Sequence, residues 1–415
     1  MNRIFNTIVV CSMICLGINQ ANAQENTNTS KFKQLGPELP TPNTYRTASG
    51  APGHEYYQQR ADYDITIELD DATQKIYGEE IITYTNNSPD ELSYLWLQLD
   101  QNISRPGSMA SKISKGGMKD NMTFDELKRQ LFVFEGGFNL EWVRGADNKD
   151  LPFTVNETMM RVDLAKPLKK GQKFVLKVKW WYNINDRAKV GGRSGLEYFS
   201  EEDNYLYTIA QFFPRMAVYS DYQGWQHKQF IGQGEFTLPF GDYKVNITVP
   251  ADHIVTATGE LQNASNVLTA EQRNRYAKAK TSFDKPVLIV TEEEARNAEK
   301  TKATTKKTWT YKAVNVRDFA FASSRKFIWD AMAVDFNGRT VMAESLYPKE
   351  GNPLWEQYST RVVAHTIKVY SKYTIDYPYP KAISVHTDRI GMEYPMICFN
   401  GGRPNADGTY SLGTK

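Results

Sequence analysis

Alternation of period two constrains this chain more than any other feature. In DYDITIELD (62–70) the side chains of Ile65, Ile67 and Leu69 fall on one face and polar residues on the other, the signature of a half-buried strand. KIYGEEIITYTNNSPDELSYLWLQLD (75–100) repeats it, with Asn86, Asn87, Ser88 and Pro89 supplying the turn. KFVLKVKWWYNI (173–184), GDYKVNITVP (241–250), HIVTATGEL (253–261) and TWTYKAVNVRDFAFASS (308–324) continue the pattern between Gly and Pro punctuation. A large antiparallel β domain is expected, ending near Arg325.

A chain of 415 residues exceeds one ordinary core and suggests two to three domains. With 50 basic against 48 acidic residues it carries no electrostatic footprint for nucleic acid. Residues 1–23 read as a secretory signal: Arg3, an apolar run over 4–18, then Ala21, Asn22 and Ala23 as a small-residue cleavage site. The run is shorter than the roughly 20 residues of a spanning helix. Neither Cys11 nor Cys15 follows the small residues expected before a lipidated cysteine. The protein is therefore expected to be exported, periplasmic or extracellular, without a stable membrane anchor. Of its three cysteines, Cys398 alone would stay in the mature chain, which excludes an intramolecular disulfide and a cysteine metal cluster. Cys398 is expected to serve as a small buried hydrophobe.

Residues 24–58 are polar and read as a linker. His54 and Glu55 open an HE pair, but Tyr56, Tyr57 and Gln58 follow and no second histidine sits at helical spacing. Residues 59–325 form the β domain, and 326–415 begin a second. Residues 263–308 interrupt the alternation as a polar, weakly helical hairpin excursion, with TEEE (291–294) as a capping box. Beyond Arg325, strands over 327–336 and 340–347 meet at Asn337 and Gly338. Asn352 with Pro353 then opens a helix whose apolar stripe is Leu354, Tyr358, Val362, Val369 and Tyr373, with His365 on the same stripe. Tyr377 to Pro380 stop it, and a strand leads into HTDRIGMEYPMICFNGG (386–402).

Two stretches carry candidate chemistry. In NYLYTIAQFFPRMAVYSDYQGW (204–225), Gln211 stands where strand gives way to loop, and Arg215 with Asp221 could be an ordinary ion pair. In the 386–402 stretch Glu393 sits among Ile390, Met392, Met396 and Ile397. A buried unpaired carboxylate costs several kcal/mol, so Glu393 has a partner or faces a cleft.

The segments IAQFFPRMAVYSD, FGDYKVNITVPADHIVTATGEL, VNVRDFAFASS and RIGMEYP occur in the order found in the zinc aminopeptidases of the aminopeptidase N and leukotriene-A hydrolase type, and the chain resembles that family over roughly residues 60–400. The resemblance implies a mainly β, saddle-like N-terminal domain followed by the truncated start of an α+β thermolysin-like catalytic domain. It implies peptide substrates with a free N-terminus, whose α-amine is bound by Glu393 and Gln211, with Gly391 letting substrate backbone approach. The family motif is Gly, Ala or Gly, Met, Glu, Asn. Gly391, Met392 and Glu393 match it, whereas Ile390 and Tyr394 depart from it and put strict aminopeptidase geometry in question; the resemblance implies Met392 and Tyr394 as substrate-binding residues beside Glu393, Gln211 and Gly391.

Zinc is the cofactor the resemblance implies, held by an HExxH motif whose glutamate is the general base. None of the five histidines, His54, His227, His253, His365 and His386, stands in that pattern. The ligands are therefore expected beyond Lys415, and the 415-residue chain is expected to bind no zinc and to be inactive. The alternatives are a non-catalytic peptide-binding module and a purely structural β protein, the latter requiring Glu393 to be paired with an internal Arg or Lys.

Overall fold

The computed structural model describes residues 42–114, 121–232, 234, 236–336, 338–388, 391–411 and 414. The expected signal segment, Cys11, Cys15, Asn337 and Ile390 lie outside them. The described residues fall into two compact units, divided between Tyr56 and Tyr57. In the first, the Asn43 side chain accepts from the backbone of Tyr45 and Arg46, and the Arg46 guanidinium covers the Tyr56 ring.

The second unit is mostly strand. A seven-stranded sheet runs, in spatial order, Glu260–Leu261, Lys306–Val316, Gly241–Pro250, Arg60–Asp70, Lys75–Thr85, Lys173–Asn183 and Asn139–Gly145. Its buried face is the one the alternation marks, with Ile65, Ile67, Leu69, Ile76 and Ile82 in the core. The sheet is mixed rather than antiparallel, because Arg60–Asp70 pairs in parallel with Gly241–Pro250. Periodicity gives a strand's face but not its partner.

Gly78 stands in the middle of this sheet because a Cβ there would lie 2.4 Å from the Trp180 ring. The space it leaves admits the buried indole, whose Nε1–H donates to the Phe212 carbonyl at 3.0 Å. The sheet thereby holds the loop after Gln211.

Two four-stranded sheets pack with it. One contains Arg215–Met216, Leu92–Gln98, Met159–Leu168 and Phe153–Asn156; the other contains Ile254–Ala257, Phe321–Ser324, Asn204–Ile209 and Gly195–Phe199. HIVTATGEL is thus two strands. Gly259, at φ +89, breaks the run where a Cβ would lie 2.3 Å from the Lys312 carbonyl oxygen.

A six-stranded sheet orders Val287–Val290, Ile328–Phe336, Arg339–Tyr347, Lys381–His386, Ile397–Asn400 and Met392–Tyr394. The segment read as a hairpin excursion contributes its first strand, together with helices Ala264–Val267, Ala270–Ala279 and Glu292–Ala298. The capping box is present, since Thr291 Oγ1 accepts from Glu294 N–H and Glu294 Oε2 from Thr291 N–H. No described helix is long and apolar enough to cross a membrane.

Candidate functional site

Met392–Tyr394 is the edge strand of the six-stranded sheet and turns through Pro395 and Met396 into its antiparallel partner Ile397–Asn400. Met396 takes the turn at φ 66. Alternation then decides the faces: Met392, Met396 and Ile397 are buried and Glu393 is exposed. The expected conflict between carboxylate and apolar surroundings does not arise, because successive side chains of a strand leave on opposite sides. Glu393 makes no hydrogen bond or ion pair among the described residues, so no internal Arg or Lys there serves as its partner. Gly391 precedes it in open space, where an added Cβ would meet nothing within 4 Å. Across the ladder stands Cys398, half-buried rather than buried, its thiol pushed up by burial and by Glu393.

Tyr394 turns the other way, into a cluster of charges. Arg215 pairs with Asp100 at 2.8 Å and with Asp318, and reaches Gln98 at 3.4 Å and the Tyr394 hydroxyl at 3.4 Å. These partners, rather than Asp221, hold Arg215. Burial opposes the guanidinium's charge, yet Asp100 and Asp318 outweigh it and keep Arg215 well above its ordinary range. The Tyr394 hydroxyl also serves the Asp318 carboxylate, and burial raises its own pKa strongly.

Gln211 is half-buried in the left-handed region at φ 53, its carbonyl accepting from Gln101 Nε2 at 3.0 Å. Its side chain makes no hydrogen bond among the described residues. The structure thus links the Gln211 loop to the strand of Glu393 through Arg215 and Tyr394, while no described hydrogen bond joins Gln211 to Glu393.

Beside this strand opens a cavity of about 1100 Å³, bordered by Tyr358, Val362, Tyr370, Tyr394, Cys398 and Gly401. Helix Thr360–Tyr373, entered through a π-helical turn at Trp355–Ser359, has two apolar faces. Ala364 and Ile367 pack on Met332, Val334 and Val341 of the sheet. The stripe chosen from sequence is the other face: Tyr358, Val362 and Tyr373 are exposed, and so is His365.

No family model and no curated protein matches the chain. Solved structures do. M1 zinc metallopeptidases are among them. The enzyme from Deinococcus radiodurans is 13% identical over 84% of this chain and 62% of its own, with a TM-score of 0.48. A point mutant from the same organism gives 12%, 85%, 62% and 0.48, and that mutant bound to a Tyr-Ser-Ala substrate gives 12%, 82%, 60% and 0.46. This chain spans less than two thirds of their length, and a likeness at these values decides neither family nor activity.

The described residues do not make a zinc site. Glu202, Glu299 and Glu350 bring carboxylate oxygens within 4.8 Å of one another. Two lysines already lie among them: Lys326 is 2.7 Å from Glu299, 2.9 Å from Glu350 and 3.2 Å from Glu202, and Lys349 reaches the same three acids. Zinc favours nitrogen and sulfur ligands, and this group offers neither. The histidines do not assemble either. His54, His227 and His365 are exposed. His253 is buried on Ser323 and pushed down to about 4 by burial, and His386 is buried against Trp355.

The sequence reading missed the Arg215 cluster, whose other members each lie more than 100 residues from Arg215. A signal was available for one part: Arg215 stands in an apolar segment four residues after Gln211, and Tyr394 was already among the expected site residues.

Proposed function

We propose that this chain is the N-terminal part of an exported zinc-dependent aminopeptidase, one that hydrolyses the first peptide bond of peptides and holds their α-amine with Glu393 and Gln211. The observation that carries the reading is Glu393 itself: an exposed carboxylate on an edge strand, without a hydrogen-bond or ion-pair partner among the described residues, two positions after a glycine where an added Cβ would meet nothing within 4 Å. A peptide can add to such an edge through main-chain hydrogen bonds. Its ammonium then meets the carboxylate in a charge-assisted hydrogen bond, with the Gln211 amide oxygen as a neutral second acceptor. A clamp of this kind measures the peptide from its end and fixes the position of its first peptide bond. In this reading Met392 anchors the strand from below. Tyr394, in the place of the family's asparagine, acts through its buried hydroxyl to position Glu393.

The metal ligands and general base would come from residues outside these 415, so no step of the hydrolysis is assigned to the residues present. That gap favours a second reading, a peptide-binding module without catalysis. Zinc analysis and an aminoacyl-nitroanilide assay on the 415-residue chain separate the two. The leading account expects no bound zinc and no turnover here, with both restored by the longer reading frame. Peptide binding with no HExxH encoded downstream would establish the module instead.

A further inference from the structure

The face of the six-stranded sheet opposite helix Thr360–Tyr373 carries a second cavity. Pairing puts Ala331 across from Glu344, and Met342 beside Lys381. With side chains alternating along each strand, Trp329, Met342, Glu344 and Lys381 share one side. Helix Ala270–Ala279 covers them, its Tyr276 ring 5.3 Å from Trp329, and Tyr311 and Glu260 close the flank. The space enclosed is about 450 Å³ and includes no residue of the Met392–Tyr394 strand.

One buried charge in this cavity has no direct partner among the described residues. Lys381 is only 6% exposed, yet its ammonium makes no hydrogen bond or ion pair among the described residues. It lies over the Tyr311 ring, 5.3 Å from its centre. Burial lowers its pKa, with Glu344 and Glu260 pulling the other way. Glu344, 1% exposed, accepts from the Tyr276 hydroxyl at 2.9 Å. At the rim stand Glu260 and Lys280, the latter over the Tyr276 ring at 5.2 Å. Two cations and two carboxylates therefore surround a space walled by Tyr276, Tyr311 and Trp329. A buried unpaired ammonium is costly. A ligand that brings an anion to Lys381 offsets that cost, and one that also brings a cation answers the carboxylates.

We propose that this cavity binds a free α-amino acid with an apolar or aromatic side chain. Its carboxylate pairs with Lys381, its ammonium faces Glu344 and Glu260, and its side chain lies against the three aromatic rings. The volume is in the range of small-molecule pockets, and the site stands whether or not the chain belongs to an aminopeptidase.

Titration calorimetry of the 415-residue chain with L-phenylalanine, 3-phenylpropionate and phenethylamine tests it. Phenylalanine should bind, and loss of either charge should weaken binding about tenfold or more, as for one charge-assisted contact. Lys381→Met should weaken phenylalanine binding and abolish its advantage over phenethylamine. Absence of saturable phenylalanine binding at millimolar concentration would overturn the proposal. So would equal binding of all three compounds, or undiminished phenylalanine binding in a folded Lys381→Met. Should Lys381→Met fail to fold, the three-ligand comparison on the unaltered chain decides alone.

Discussion

Nη1 of Arg215 lies 3.4 Å from the hydroxyl of Tyr394, across 179 residues of sequence, and joins the loop that bears Gln211 to the strand that bears Glu393. Arg215 is buried with Asp100 and Asp318, so truncating it leaves two carboxylates without their cation. Breaking a buried pair from one side costs about 3–5 kcal/mol. Arg215→Met should lower stability by that amount in urea unfolding. Tyr394→Phe, which removes one hydroxyl, should cost only about 1 kcal/mol. A mild Arg215→Met would show that the cluster does not hold these segments together.

Gly78 and Trp180 make a second support. A methyl group at Gly78 meets the indole ring at 2.4 Å, and the indole holds Phe212. Gly78→Ala should destabilise by about 1–3 kcal/mol through overpacking, read as a shift in the urea midpoint. An unshifted midpoint would mean that the ring moves freely.

Glu80 gives the chain a pH dependence on the alkaline side. It is fully buried, neither oxygen has a hydrogen-bond partner among the described residues, and burial raises its pKa well above the ordinary value. Below about pH 4.3 both folded and unfolded states hold the proton. Above that, the unfolded state releases it first. Stability therefore falls as pH rises toward the folded-state pKa, by up to about 1.4 kcal/mol per pH unit. Glu80→Gln should flatten the urea-midpoint profile above about pH 4.3, the ordinary carboxylate value. An unchanged slope would contradict a neutral Glu80.

The apolar face of helix Thr360–Tyr373 that borders the larger cavity should bind hydrophobic dyes. Val362 and Tyr370 are 57% and 69% exposed and take no part in the packing of Ala364 and Ile367 on the sheet. Val362→Glu with Tyr370→Glu should reduce anilinonaphthalene sulfonate fluorescence while changing stability by no more than about 0.5 kcal/mol per site. Undiminished fluorescence would place dye binding elsewhere.

The strands were legible because burial imposes period two on their side chains. The run Gly241–Pro250 lies where alternation puts it, and Met392, Glu393 and Tyr394 obey the same rule. Glu393 misled only because its sequence neighbours are apolar, although strand neighbours face opposite ways. The same rule puts Glu80 inward beside Ile82, a feature present in KIYGEEIITYT and passed over. Helix Thr360–Tyr373 carries apolar residues on two faces, so periodicity alone could not choose the one that meets the sheet. The partners of Arg215 lie 115 and 103 residues away, and no local pattern encodes them.

The central claim is that Glu393 recognises a free peptide amine. Binding of one short peptide to the 415-residue chain, with its N-terminus free or acetylated, measures this directly, with Glu393→Ala alongside. The account predicts that acetylation or Glu393→Ala each weakens binding by about 2–4 kcal/mol, and that both together cost no more than either alone. Equal affinity for the free and acetylated peptides in the unaltered chain would contradict it.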